Sequence, residues 1–177
     1  MDLRGVTEFI KDFMWYIIVL LVIIFVLVFI VAFQTVVGNS MDPTLKDGQV
    51  VLVSKLPFTV ERNDIILFKK DGKSYVKRVV GLPGEKIEYM DGILYVDGKA
   101  YKETFLGENV ETYNFLFSDI CNEELCPKGV IPEKMYFVMG DNRPESTDSR
   151  DPKIGLISKE NITGVIIYSA MPFKSVK

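Results

Sequence analysis

The stretch DIILFKKDGKSYVKRVVG, residues 64–81, decides how most of this chain folds. Two runs of branched and aromatic residues flank Asp71-Gly72, a pair suited to the positive φ angles of a two-residue hairpin turn. Along the second run side chains alternate between two faces. Tyr75, Lys77 and Val79 share one face, and Val76, Arg78 and Val80 the other. Lys77 therefore has an aromatic ring and a branched aliphatic as same-face neighbours. Most other lysines stand beside turns or in charged runs such as KKDGK. Two fates remain open for Lys77: an edge strand would let its amine reach water, and an interior strand would bury it.

Outward from this hairpin the pattern stays β. QVVLVSK (49–55) is a short run of branched residues. EKIEYM and ILYVDG flank Asp91-Gly92 and predict a second hairpin. KMYFVMG (134–140) and GVIIYSAM (164–171) are late apolar strands. No segment after Phe33 carries a long helical period. The predicted class is mainly β, an antiparallel sheet. The segment from about 91 to 132 differs: it is polar and holds both cysteines, Cys121 and Cys126. It reads as an excursion from the β core, too short and polar for a domain of its own. The aromatics of ETYNFLF (111–117) form either a small cap or part of a surface loop. The cysteines are either a local disulfide or two reduced thiols.

The N-terminal part is of another kind. FMWYIIVLLVIIFVLVFIVAF, residues 13–33, has no charge, Gly or Pro. At about 1.5 Å per residue it spans roughly 30 Å, the thickness of a bilayer core. A cleavable signal peptide has a shorter apolar stretch that ends in small residues. The run predicts one transmembrane helix over 13–34, with Trp15 and Tyr16 as interfacial anchors. Arg4 and Lys11 precede it, and Lys46 is the first base after it. The positive-inside rule then puts residues 1–12 in the cytoplasm and the β-rich part, 35–177, outside. An oxidising compartment would permit a disulfide there.

Composition removes several chemistries. Among 177 residues there is no histidine, so a Ser-His-Asp triad and histidine-ligated metal sites are impossible. Two cysteines are too few for a four-thiolate zinc site. Net charge is −3 and no long basic run exists, so nothing speaks for nucleic-acid binding. VVGNSMDPTL (36–45) sets Ser40 just beyond the apolar run. Serine is a weak nucleophile that needs a base, and here only carboxylates and lysines are available. A lysine acts as base only when neutral. Reaching half-neutrality near pH 7.5 requires a drop of about three pKa units, roughly 4 kcal/mol, which burial can supply. Lys77 is the candidate. MGDNRPESTDSR (139–150) is a loop dense in charge and hydroxyls at a strand end, where a rigid sheet places functional groups.

Three segments together resemble the bacterial type I signal peptidases, membrane-bound Ser-Lys endopeptidases. GNSMDPTL is similar to the nucleophile box, YVKRVVGLPGE to the lysine box, and GDNRPESTDSR with GLI to the last box. Their order and the preceding apolar helix match as well. The resemblance implies a signal-peptidase-type catalytic β domain behind a single membrane helix. It implies Ser40 as nucleophile, Lys77 as general base, and Ser146 as the hydroxyl that hydrogen-bonds and orients the lysine amine. Arg78 with Asp141, and Asp148 with Arg150, would be structural ion pairs, and Met41 would help shape the substrate pockets. Gly38 stands where some members carry an oxyanion-binding serine, and the short excursion is also of the Gram-positive type. The implied substrates are signal-peptide-bearing preproteins at the lipid bilayer, with no metal or cofactor required. Ser40 lies seven residues from Phe33, at most about 24 Å away, so it stays near the membrane surface. Phe58 is expected to dip toward lipid. Two rival readings exist: a self-cleaving Ser-Lys protease of the phage-repressor type, and a non-catalytic membrane-anchored β domain that binds partners at the cell surface. In the second, Ser40, Lys77 and Ser146 need not meet.

Overall fold

The computed structural model describes residues 3–55, 59–107, 110–170 and 173–175. Phe58 lies outside the described residues. Helix α1, Leu3–Phe25, continues into a wider, π-type turn over Val26–Ile30. Within it, Lys11–Ile30 is long and apolar enough to cross a membrane, and none of that stretch is buried against the rest of the chain. A helix apolar on every side and covered on none is built for a non-aqueous surrounding.

Helix gives way to strand earlier than the apolar run suggests. Val31 is extended, at φ −127° and ψ 157°. Strand β1, Val31–Thr35, then pairs antiparallel with β2, Val50–Ser54. Hydropathy could not separate the two, because Val31, Ala32 and Phe33 are as apolar as the helix before them. The available strand partner decides where the helix ends, since it supplies the backbone hydrogen bonds that further helical turns would have made.

The remaining strands are β3 (Ile65–Lys70), β4 (Lys73–Gly81), β5 (Ile87–Met90), β6 (Ile93–Val96), β7 (Lys99–Tyr101), β8 (Met135–Met139), β9 (Ile157–Ser158), β10 (Ile162–Ala170) and β11 (Phe173–Ser175). The main sheet runs β1-β2-β10-β3-β4-β8-β9, with β11 also on β10. Every paired strand is antiparallel to its neighbour. The β3–β4 hairpin turns at Asp71 (φ 50°) and Gly72 (φ 75°), as a type I′ turn requires.

Strand β4 is interior, between β3 and β8. Its burial rises along its length, from an exposed Lys73 to a fully buried stretch from Lys77 onward. Both faces are covered there. Val79 packs with Ile66, Phe68 and Val138, while Val76 packs with Ile65, Val53 and Ile166. Lys77 stands opposite Ile66 and Arg78 opposite Ile65, so the two basic residues point to opposite faces. Two charged side chains thus enter the interior from adjacent positions of one strand.

The excursion is no loose loop. Strands β5, β6 and β7 form a small sheet, and Phe115 bridges to Tyr89 on its open edge. Phe115 and Phe117 are buried with Ile87, Leu94 and Ile131, and the same cluster includes Val80, Phe137 and Met139 of the main sheet. Tyr113, two residues before Phe115, is 79% exposed. A short helix α2, Phe117–Ile120, leads to the disulfide Cys121–Cys126, whose sulfurs are 2.02 Å apart within the same cluster.

Candidate active site

Backbone geometry sets the nucleophile first. After β1, Val36 donates its N–H to Gln49 O and accepts from Gly48 N–H. Gly38, at φ +86°, turns the chain and donates to Asp47 Oδ1 at 2.7 Å. A side chain here would strain the left-handed backbone. The turn delivers Ser40 beside the β8 end. There, Asn142 donates its backbone N–H to Ser40 O and its side-chain amide to Asn39 O, both at 3.1 Å. Below the turn Met41 is fully buried among Val36, Leu45 and Val51. Its side chain anchors the turn from within the core, and in this structure it offers no surface to a bound peptide.

Lys77 Nζ lies 2.6 Å from Ser40 Oγ. In its charged form the amine donates this bond; in its neutral form it can accept the serine proton. Only 4% of Lys77 is exposed. Burial pulls its pKa from 10.5 to about 8, Asp148 and Asp141 oppose the drop, and Arg150 adds to it. The edge-strand alternative for Lys77 is excluded by its place in the sheet.

The two carboxylates are occupied by guanidinium groups. Arg78 donates Nε to Asp141 Oδ1 at 2.8 Å and Nη2 to Oδ2 at 2.6 Å, in a bidentate, fully buried pair. Its third donor, Nη1, reaches Asn63 O at 2.8 Å. Arg150 contacts Asp148 through Nε and Nη2, each at 2.8 Å, and Asp148 Oδ2 also accepts from Gly140 N–H at 2.9 Å. These pairs keep both negative charges largely committed, which limits how far they can hold a proton on Lys77.

Ser146 departs from expectation. Its Oγ is buried without a hydrogen-bond partner among the described residues, so it does not bond the lysine amine here. It sits against Gly140, where a β-carbon would collide with Ser146 Oγ, Ser146 Cβ and the Ser40 carbonyl oxygen. Gly140 thus lies between the Ser146 side chain and the carbonyl of the nucleophile's turn.

Gly140, Asn142 and Arg143 are site residues that the motif reading left without roles. Gly140 carried a signal, a glycine closing a strong strand, which often marks close backbone approach. Arg143 is 1% exposed. It donates Nε to Gly140 O at 3.1 Å and Nη1 to Glu103 Oε2 at 3.0 Å. No local pattern announces a partner 40 residues upstream. Among the described residues no group of His, Cys, Asp and Glu could hold a metal ion.

Comparison with known proteins gives one consistent answer. Residues 7–171 match the family model described as signal peptidase, peptidase S26. The chain is 40% identical over 155 residues to signal peptidase IB of Staphylococcus aureus strain Mu50, covering 81% of this chain and 79% of that one. Signal peptidase I of Bacillus licheniformis is 39% identical over 145 residues, covering 79% and 76%. Among solved structures, a signal peptidase I from Enterococcus faecalis V583 matches at a TM-score of 0.51 and 36% identity. That match covers 61% of this chain and 97% of the other.

Proposed function

The chain belongs to the signal peptidase family, peptidase S26, and we propose that it removes N-terminal signal peptides from secreted preproteins with a Ser40–Lys77 dyad. One observation carries the dyad: a buried amine with its pKa lowered to about 8 lies 2.6 Å from a serine oxygen. At pH 7 a pKa of about 8 leaves roughly a tenth of the amine neutral, against about one part in three thousand at 10.5.

In the proposed reaction neutral Lys77 takes the Ser40 proton as Oγ attacks the scissile carbonyl. The tetrahedral intermediate collapses, Lys77 gives the proton to the leaving amine, and an acyl-enzyme remains. Lys77 then takes a proton from water, hydroxide attacks the ester, and Ser40 is regenerated. The oxyanion would rest on the Ser40 backbone N–H, which donates to no group among the described residues. Gly38 N–H is already committed to Asp47 and is not free to help. For Ser146 to hold the amine, Oγ or Nζ must move from its present position when the proton leaves. Asp141 and Asp148, each neutralised by an arginine, would support the loop without taking part in proton transfer. The extended substrate would add to the open backbone beside Val37, which is exposed next to the nucleophile.

Helix α1 would sit in the bilayer, with residues 1–12 cytoplasmic and residues 35–177 outside. The disulfide supports this orientation, since such bonds persist in oxidising compartments. Anchoring enzyme and signal peptide in one membrane raises their effective concentration. The reading as a non-catalytic binding domain loses its ground, because it gives no reason for a lysine to be buried against a serine.

The test is cleavage of a preprotein by the detergent-solubilised chain. Wild type should give one shortened product, while Ser40→Ala and Lys77→Arg should give none, the guanidinium being unable to deprotonate. Full turnover by either variant would remove the dyad from consideration.

A further inference from the structure

Part of the excursion reaches the catalytic loop although no motif includes it. Glu103 and Phe105 sit in one turn, closed by Leu106 N–H to Glu103 O at 3.3 Å. Glu103 receives both terminal nitrogens of Arg143, at 3.0 and 2.5 Å. The side chains of this pair are 6% and 0% exposed, and Thr112 Oγ1 accepts a further bond from Nη1 at 3.3 Å. Two residues on, the Phe105 ring lies 4.1 Å from the Arg78 guanidinium, in cation–π contact. Arg143 holds the Gly140 carbonyl, and Arg78 holds the Asp141 carboxylate. One turn outside the motifs thus grips, through two buried arginines, two consecutive residues of the catalytic loop. The next residue, Asn142, holds the nucleophile's own carbonyl.

We propose that Glu103 is a positioning residue for the Ser40–Lys77 dyad: through Arg143 it sets the 140–142 backbone against Ser40, and Phe105 braces Arg78 beside it. The inference rests on the protease reading above. Without Glu103, Arg143 is a buried cation left with a carbonyl, a hydroxyl and the Tyr89 ring 5.7 Å away but no counter-charge, an arrangement that favours its withdrawal toward water. Gly140 would follow its guanidinium. Gly140 has no slack, because Ser146 and the Ser40 carbonyl already touch the space where a β-carbon would be. Misplacement of reacting groups by about 1 Å costs on the order of a hundredfold in rate. The charges acting on Lys77 are those of Asp148, Arg150 and Asp141. Arg143 is not among them, so the effect should be geometric and not a change in the amine's protonation.

The experiment compares preprotein cleavage by the full-length, detergent-solubilised wild type with Glu103→Gln, Glu103→Asp and Phe105→Leu, below the unfolding range of each. Lys86→Gln, on an exposed ion pair of the small sheet, is the control and should match wild type. Glu103→Gln should lower kcat per folded enzyme about 30–100-fold, with KM within about threefold and the midpoint of the pH–rate profile unmoved. Glu103→Asp should recover part of the loss, and Phe105→Leu should lower kcat about tenfold. A purely structural pair would lower the melting temperature and leave kcat per folded enzyme intact, which would overturn the proposal. So would a rise in KM alone, or a displaced pH midpoint. If Glu103→Gln does not fold, Phe105→Leu decides, and wild-type kcat in that variant overturns the idea. Failure of the protease reading would look different: wild type itself would not cut, or Ser40→Ala would.

Discussion

Removing the amine of Lys77 should make the protein more stable at neutral pH, even as it ends catalysis. The pKa of Lys77 falls from 10.5 to about 8 on folding, so the folded state resists holding that proton. The sign follows from linkage. Below pH 8 both states are protonated, and the whole destabilisation is present. Between pH 8 and 10.5 the unfolded chain binds more protons than the folded one, so stability rises with pH. Above 10.5 the difference is gone. The magnitude is about 3 kcal/mol at pH 7 and about 1 kcal/mol at pH 10. Lys77→Met keeps most of the volume and removes the charge, while Asp141 and Asp148 retain their arginines. The lost contact with Ser40 offsets part of the gain. At about 2–4 °C per kcal/mol for a chain of this size, Lys77→Met should melt several degrees, up to about 12 °C, above wild type at pH 7. Most of the gap should close by pH 10. Differential scanning calorimetry of the full chain in detergent, from pH 7 to pH 10, measures it. A variant no more stable at pH 7, or a gap independent of pH, would refute the claim that burial lowers the amine's proton affinity.

Other expectations concern the same groups. Preprotein cleavage should rise about tenfold per pH unit below a midpoint near 8 and level above it; a flat profile from pH 6 to 9 would contradict a lysine base. Gly140→Ala should lower kcat at least about a hundredfold, because the new methyl must displace Ser146 or the Ser40 carbonyl; wild-type kcat would show the loop to be adaptable. Asp141→Ala should cost about 3–5 kcal/mol in thermal unfolding by stranding the buried Arg78. The double variant Arg78→Met with Asp141→Ala should recover much of that, and equal losses in the single and double variants would argue against a coupled pair.

What could be read without coordinates was local or carried by short motifs. The Asp71-Gly72 hairpin follows from turn chemistry, and the opposite directions of Lys77 and Arg78 follow from the pleat. That the apolar block is helical over most of its length follows from its uncharged run, though its end at Ile30 does not. Both supporting ion pairs were indicated by the resemblance and meet in the structure.

What resisted reading depends on which distant backbones meet. Whether Lys77 is buried turns on β8 covering the open side of β4, and β8 lies more than 50 residues away. Where α1 yields to β1 depends on β2 offering its edge. The pairing of Cys121 with Cys126, the Ser146 hydroxyl without a partner among the described residues and the grip of Glu103 on Arg143 are likewise consequences of packing. Periodicity and turn propensity report the chain's preferences over a few residues. The amine's proton affinity, on which the chemistry depends, is set by water excluded from a space that strands far apart in sequence enclose.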